Sequence, residues 1–318
     1  MELIGDIALQ GVAMFATLAM APLLTGIVRK AKARLLRRAG PPLVQPYRDL
    51  WRLFQKDVVL AENASWLFRA TPYLVFAITW VAASLVPTFA VGLQFNWTAD
   101  LITIVALLGA ARFFLALAGM DVGTSFGGIG SSREMMIASL AEPAMMMIVF
   151  SLALLAGSTQ LSTMAQYMLS PNVGLRVTLG LSLISLMMVG IAENARIPVD
   201  NPATHLELTM VHEAMLLEYS GRHLALLELA AFLKLLFYFS LIACLFVPWG
   251  LASTNGTWTA LAVGLIAYIA KIVVGVCILA LFETAIAKMR VFRVPTFLGA
   301  ALMLGFLGAL LLFVSRGL

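Results

Sequence analysis

IAENARIPVDNPATHLELTMVHEAMLLEYSGRHLALLELAAFLK, residues Ile191 to Lys234, is the stretch that decides how this chain is built. It leaves one apolar run, crosses an acidic segment and enters the next apolar run. Its five glutamates and one aspartate are six of only sixteen acidic residues in 318, in a chain that is 62% hydrophobic and 12% charged. A mean hydropathy of +0.97 leaves too little polar surface to cover a water-soluble globule of this size. The chain is therefore read as an integral membrane protein that gathers its acids where helices leave the lipid.

Working outward, runs of about 20 apolar residues are needed to cross roughly 30 Å of hydrocarbon as helix. Eight such runs are present, at about 5–28, 70–92, 99–120, 135–157, 177–195, 225–249, 258–282 and 296–315. None alternates polar and apolar residues as the short strands of a barrel would. The expected fold is an all-α integral membrane protein of eight transmembrane helices, one polytopic domain over 1–318. MELIGDIALQGVAMF lacks a basic leading region and a clear cleavage site, so the first run is expected to be a retained helix.

The basic residues set the expected sidedness. The segment from Arg29 to Arg69 holds ten Lys and Arg against three acids, and 121–134, 196–224 and 283–295 add six more; the opposite loops contribute only Arg176. The positive-inside rule puts the basic loops in the cytoplasm and both termini outside. The net charge of +5 is thus read as topology, with no nucleic-acid partner implied. Cys244 and Cys277 lie far apart in apolar runs without a CxxC, which argues against a disulfide scaffold or an iron–sulfur site, and the irregularly spaced histidines lack a zinc motif.

Three loops, 29–69, 121–134 and 196–224, are expected to form one docking surface. In the first, Gly40-Pro41-Pro42 breaks a basic segment containing Arg34, Arg37 and Arg38. From Pro46 onward Leu50, Leu53 and Phe54 recur at helical spacing beside Arg48, Arg52 and Lys56, which predicts an amphipathic interfacial helix able to meet a partner protein or anionic lipid. In the second, four glycines from Gly119 to Gly128 suggest irregular chain, with Ser131 or Ser132 capping the helix that carries Arg133. The third contributes Asp200, Glu207, Glu213 and Glu218; Glu207 and Glu218 are eleven residues apart and share a helical face, and Arg222 is placed to pair with Glu218.

Ionisable residues inside the spans are the strongest functional signal. A charge at a helix centre costs about 2.5–3.5 kcal/mol on insertion scales. Arg112, Glu142, Glu193, Glu228, Lys234, Lys271 and Glu283 lie in or close to predicted spans, and neither Glu228 with Lys234 nor Lys271 with Glu283 is spaced to pair within one helix. They predict a polar line assembled from several helices, able to pass protons or respond to them.

These motifs resemble a known family. AENARIPVD followed by LLEYSG is similar to the AExxRxPFD and EYSG signature of the proximal membrane subunit of respiratory complex I and of its relatives in energy-converting [NiFe] hydrogenases and formate hydrogenlyases. ARLLRRAGPP at 33–42 is similar to the family's ARxxxRxGP, and REMMIASLAEP supplies the matching Arg133 and Glu142. DVGTSFGGIGSSREMM, FVPWG and ALFETAIAKMR, with Lys271 and Glu283, resemble the hydrogenase branch more closely. VDNPATHLEL departs from the family's FDLxExExEL by losing acids at Ala203 and His205, and a family glutamate near Ala231 is absent, with Glu228 one turn earlier.

The resemblance implies a membrane-anchoring, energy-coupling subunit of a bacterial or archaeal cytoplasmic membrane complex, with no redox centre of its own. Hydrogenase-like large and small subunits and an iron–sulfur protein would carry the [NiFe] centre and [4Fe–4S] clusters, and antiporter-like membrane subunits would move protons or sodium ions. Arg133, Asp200, Glu207, Glu213, Glu218 and Arg222 would form the loop-to-membrane junction. Glu142, Glu193, Glu228, Lys234, Lys271 and Glu283 would continue it inward. A quinone-reactive subunit and an independent ion-coupled transporter are the alternative readings.

Overall fold

Gly221–Phe246 forms α9, and its buried residues run around every face, from Ala225 and Leu227 to Phe237 and Leu241. A helix buried on every face belongs inside a bundle, and the helices at Glu2–Leu35, Trp66–Leu85, Val177–Glu193 and Trp258–Ala285 pack against it. The computed structural model describes residues 2–92, 96–170, 177–199, 211–253, 258–287, 289 and 293–317. Helix α1 spans Glu2–Leu35, the short α2 Gln45–Phe54, α3 Trp66–Leu85, α4 Leu101–Asp121 and α5 Ser125–Ala156. They are followed by α6 at Leu161–Leu169, α7 at Val177–Glu193 and the one-turn α8 at His212–Leu216. After α9 come α10 at Trp258–Ala285 and α11 at Val294–Gly317.

Among the described residues seven helices are long and apolar enough to cross a membrane, and α7, with 17 residues, is a shorter apolar eighth. The expected all-α membrane fold is thus what the chain adopts. The helices share two ends. One carries α2, α8 and the start of α5; the other carries a two-residue parallel pairing, β1 (Ala90–Val91) with β2 (Ala252–Ser253), which ties the exit of α3 to the link between α9 and α10. At that same end Asp100 caps α4 through the Ile102 amide and accepts from the Thr159 hydroxyl.

The amphipathic α2 forms where the spacing places it, with Pro46 and Leu50 buried and Arg48, Arg52, Trp51 and Phe54 exposed. Segment 121–134 differs from the expected irregular loop. Only Val122, Gly123 and Thr124 lie between α4 and α5, and Thr124, not Ser131 or Ser132, caps α5 by accepting from the Gly127 amide at 3.2 Å. Ser131 donates instead to the Ala116 carbonyl and Ser132 to that of Gly128. The glycines serve close packing: Gly130 abuts Met215 and Ala214 of α8, where an added Cβ would lie 3.0 Å from each.

The LLEYSG motif also has a packing role. Tyr219 stacks flat on Phe68 with ring centroids 4.0 Å apart and donates to the Phe68 carbonyl. Ser220 both accepts from the Val59 amide at 2.8 Å and donates to the Val59 carbonyl at 3.0 Å. Gly221 has φ of 53°, and its missing side chain leaves room for the Asp57 and Lys56 carbonyls, the latter 2.7 Å from where a Cβ would be. A left-handed conformation and a backbone clash act together against any other residue. Gly221→Ala is expected to destabilise the chain by about 1–3 kcal/mol, read as a lower thermal midpoint in detergent; an unchanged midpoint would show that this junction carries no such constraint.

Candidate functional site

The interior of helix α4 carries a single charged residue, Arg112, which lies nine residues before the helix end, about 13 Å into the bundle at 1.5 Å per residue. Its side chain is 6% exposed and carboxylates converge on it from two neighbouring helices. From α5, Glu134 Oε1 is 3.6 Å from Nε and Glu142 Oε1 is 3.3 Å from Nη1. From the last residue of α7, Glu193 Oε1 pairs with Nη2, and Glu193 Oε2 is 3.8 Å from Nζ of Lys234 on α9. The planar guanidinium suits this arrangement because its donors diverge in fixed directions.

Three acids and two bases give the cluster a formal charge of −1. One proton or one monovalent cation brings it to zero, and such a change costs or releases most where water is scarce. Glu134 and Glu193 side chains are 9% and 4% exposed, whereas Glu142 is 46% exposed. A cavity of about 30 Å³ touches Arg112, Glu134, His212 and Lys234, which is polar and roomy enough for a water molecule. On the other side, Gly109 faces the Glu142 carboxyl, where a Cβ would sit 3.3 Å from Oε1. Past that notch a groove of about 430 Å³ opens on the outer face of α4 and α5, lined by Ile102, Phe113, Met135 and Met146, all exposed. Glu142 therefore connects the buried cluster to the exterior of the bundle.

A second group forms beside the first along the chain. Ala195, with φ of 47°, turns the backbone two residues after Glu193, and Arg196 then meets Glu283 of α10 at 3.4 Å while Lys32 of α1 donates to the same carboxylate at 3.0 Å. Burial pushes the Arg196 guanidinium below its ordinary range and the adjacent Glu283 charge opposes that shift. Removing the 2%-exposed Glu283 carboxylate leaves two cations without it. In a double-mutant cycle Glu283→Gln is expected to lower the thermal midpoint, and adding Lys32→Gln to restore part of it, with a coupling of about 0.5–3 kcal/mol; strict additivity would remove the pair as a stabilising unit.

Of the expected inward residues, Glu142, Glu193 and Lys234 share the Arg112 cluster and Glu283 holds the second group. Glu228 lies apart, in a slot with Arg29, Asp49 and Arg52. Lys271, half-buried on α10, forms no ion pair among the described residues and lies near the buried Cys244. At the loop junction, Arg133 precedes Glu134 by one residue and so is turned about 100° around α5 from it. Glu213 is on α8; Glu218 and Arg222 do not form the expected pair. Asp200 and Glu207 lie outside the described residues. Arg34, Arg37 and Arg38 are exposed where α1 ends, and Arg48 and Arg52 on α2.

Sequence reasoning placed Arg112 among the embedded charges without giving it a role, and passed over Glu134, Lys32 and Arg196. The available signal was arithmetic: Glu134 and Glu142 are eight residues apart, just over two turns, and so share a face of α5 toward α4.

Residues 7–314 match the family model described as NADH dehydrogenase. The chain is 36% identical over 297 residues to formate hydrogenlyase subunit 4 of Escherichia coli (strain K12), covering 93% of this chain and 94% of that protein. It is 37% identical over 239 residues to hydrogenase-4 component C of the same organism, covering 74% and 73% respectively. NADH-quinone oxidoreductase subunit 8 of Rhodothermus marinus is 28% identical over 245 residues, covering 73% and 70%. In fold it resembles a chain of the membrane-bound sulfane sulfur reductase, an archaeal respiratory membrane complex, with a TM-score of 0.78 at 20% identity over 97% of this chain and 99% of that one. With a family match from end to end and two relatives above 30% identity, the chain belongs to the NADH dehydrogenase family, alongside formate hydrogenlyase subunit 4 and hydrogenase-4 component C.

Proposed function

We propose that this chain is the membrane-anchoring, energy-coupling subunit of a multisubunit hydrogenase- or formate hydrogenlyase-type complex. The observation that carries the reading is the convergence of Glu134, Glu142 and Glu193 on Arg112, with Lys234 alongside, because it offers a charge relay from one end of the bundle to its outer face. The basic α2 end faces the cytoplasm of a bacterial or archaeal cell by the positive-inside rule. There the hydrogenase-like large and small subunits and an iron–sulfur protein dock, and they carry the [NiFe] centre and the clusters.

Reduction or oxidation in those partners alters the potential at the α8 end, where His212 shares a cavity with Glu134 and Arg112. A carboxylate that shares its guanidinium with two others responds to that potential by taking up or releasing a proton. Glu193 and Lys234 hold the buried charge in place. Glu142 hands the change across the Gly109 notch to an antiporter-like membrane subunit, which moves the proton or sodium ion. Asp200, Glu207, Glu213, Glu218, Arg133 and Arg222 are the loop groups that receive the docked module, and Glu283 steadies the adjoining turn.

The test is gentle purification of the tagged full-length chain from its native membrane, with mass spectrometry of its partners and metal analysis. Nickel, iron–sulfur subunits and antiporter-like subunits in fixed stoichiometry are the expected result. A stable chain that purifies without partners overturns the reading in favour of transport.

A further inference from the structure

Away from the Arg112 cluster, a slot of about 250 Å³ opens between the end of α1, α2 and the first half of α9. Arg29, Arg52 and Lys56 bring three positive charges to it, Asp49 and Glu228 two negative, and Leu53 and Phe232 an apolar wall. Arg29 and Arg52 each approach Asp49 only to 3.9 Å, beyond hydrogen-bond length, so neither guanidinium is consumed by it. Beside the slot, Trp51 is 67% and Phe54 44% exposed on α2, an arrangement suited to the headgroup boundary of a bilayer.

We infer that this slot binds the phosphate of a membrane phospholipid, Arg29, Arg52 and Lys56 holding the phosphodiester and Leu53 and Phe232 the start of an acyl chain. The lining sums to +1, from three cations and two carboxylates, and a phosphodiester monoanion makes it neutral. Guanidinium groups match phosphate oxygens in geometry and charge, whereas a neutral quinone head would leave the excess cation uncompensated. The phosphate chemistry could equally come from a free anion; the apolar wall and the interfacial placement of α2 assign it to lipid. The inference is independent of the coupling role, since it uses none of the Arg112 residues.

The measurement is native mass spectrometry of the full chain with whatever subunits accompany it, stripped of endogenous lipid and titrated separately with phosphatidylglycerol, inorganic phosphate and decylubiquinone. One phosphatidylglycerol should survive activation that removes the others, in the wild type and in Arg293→Gln, an exposed cation outside the slot. The Arg29→Gln/Arg52→Gln double variant should bind it at least tenfold more weakly. Lys56→Gln, a single exposed change, should weaken it about threefold and serves if the double variant does not fold. Equal retention in the slot variants overturns the site. Inorganic phosphate displacing the lipid at equal concentration makes it a free-anion site, and decylubiquinone displacing it makes it a quinone site; either result overturns the lipid.

Discussion

Arg112→Gln should deplete folded chain from the membrane more than any other single substitution. The substitution leaves Glu134, Glu142 and Glu193 facing Lys234 alone, so the buried formal charge goes from −1 to −2. Breaking a buried pair by removing one partner costs about 3–5 kcal/mol because the other charge stays behind. Against typical stabilities of about 5–15 kcal/mol that is a large fraction. Arg112→Lys should recover little, since one ammonium cannot reach Glu134 and Glu142 of α5, at 3.6 and 3.3 Å from different guanidinium nitrogens, and Glu193 of α7 as well. Adding Glu193→Gln to Arg112→Gln should recover part of the loss by returning the formal charge to −1. Fluorescence-detected size exclusion and thermal midpoints in detergent provide the readout. A wild-type midpoint for Arg112→Gln would mean that the cluster does not hold the helices together.

Glu142→Gln should behave in the opposite way, leaving the fold intact while abolishing coupling. Its side chain is 46% exposed and makes one contact with Arg112, so its loss costs the folded state little. It is also the one carboxylate of the three that reaches the outer groove. In vesicles containing the intact complex, ion movement per electron pair should fall at least tenfold while redox turnover with artificial donors persists. Glu142→Asp should be intermediate, because the shorter side chain retreats from the Gly109 notch. Glu193→Gln should impair both coupling and stability, its carboxylate being buried between Arg112 and Lys234. Full coupling in Glu142→Gln would remove Glu142 from the path.

The bundle itself was legible from hydropathy, because the eight apolar runs need no partner to be recognised. The amphipathic α2 was legible for the same reason, its periodicity being local. The junction at 121–134 was not: glycines that suggested loose chain are there so that α5 can pack against α8, and that requirement appears only when Gly130 meets Met215. The site was half legible. Cost arguments singled out Glu142, Glu193 and Lys234 one helix at a time, yet what joins them is a cation on a fourth helix, and no spacing within a single helix encodes which helix lies beside it. Arg133 was favoured over Glu134 because it was the residue of REMMIASLAEP matched to the family, whereas the helical phase of α5 turns its neighbour toward Arg112. EYSG shows the converse, a signature read for its acid whose Tyr219, Ser220 and Gly221 fasten one loop to another.

Helix α10 presents Val263, Ile266, Val274 and Ile278 outward, and the exposed Cys277 stands in the same band, while Cys244 on α9 is buried. The chain thus carries one accessible thiol without any engineering. A maleimide nitroxide placed there would report, by its collision rate with dissolved oxygen or with a nickel chelate, whether that band meets acyl chains, water or another protein in the assembled complex.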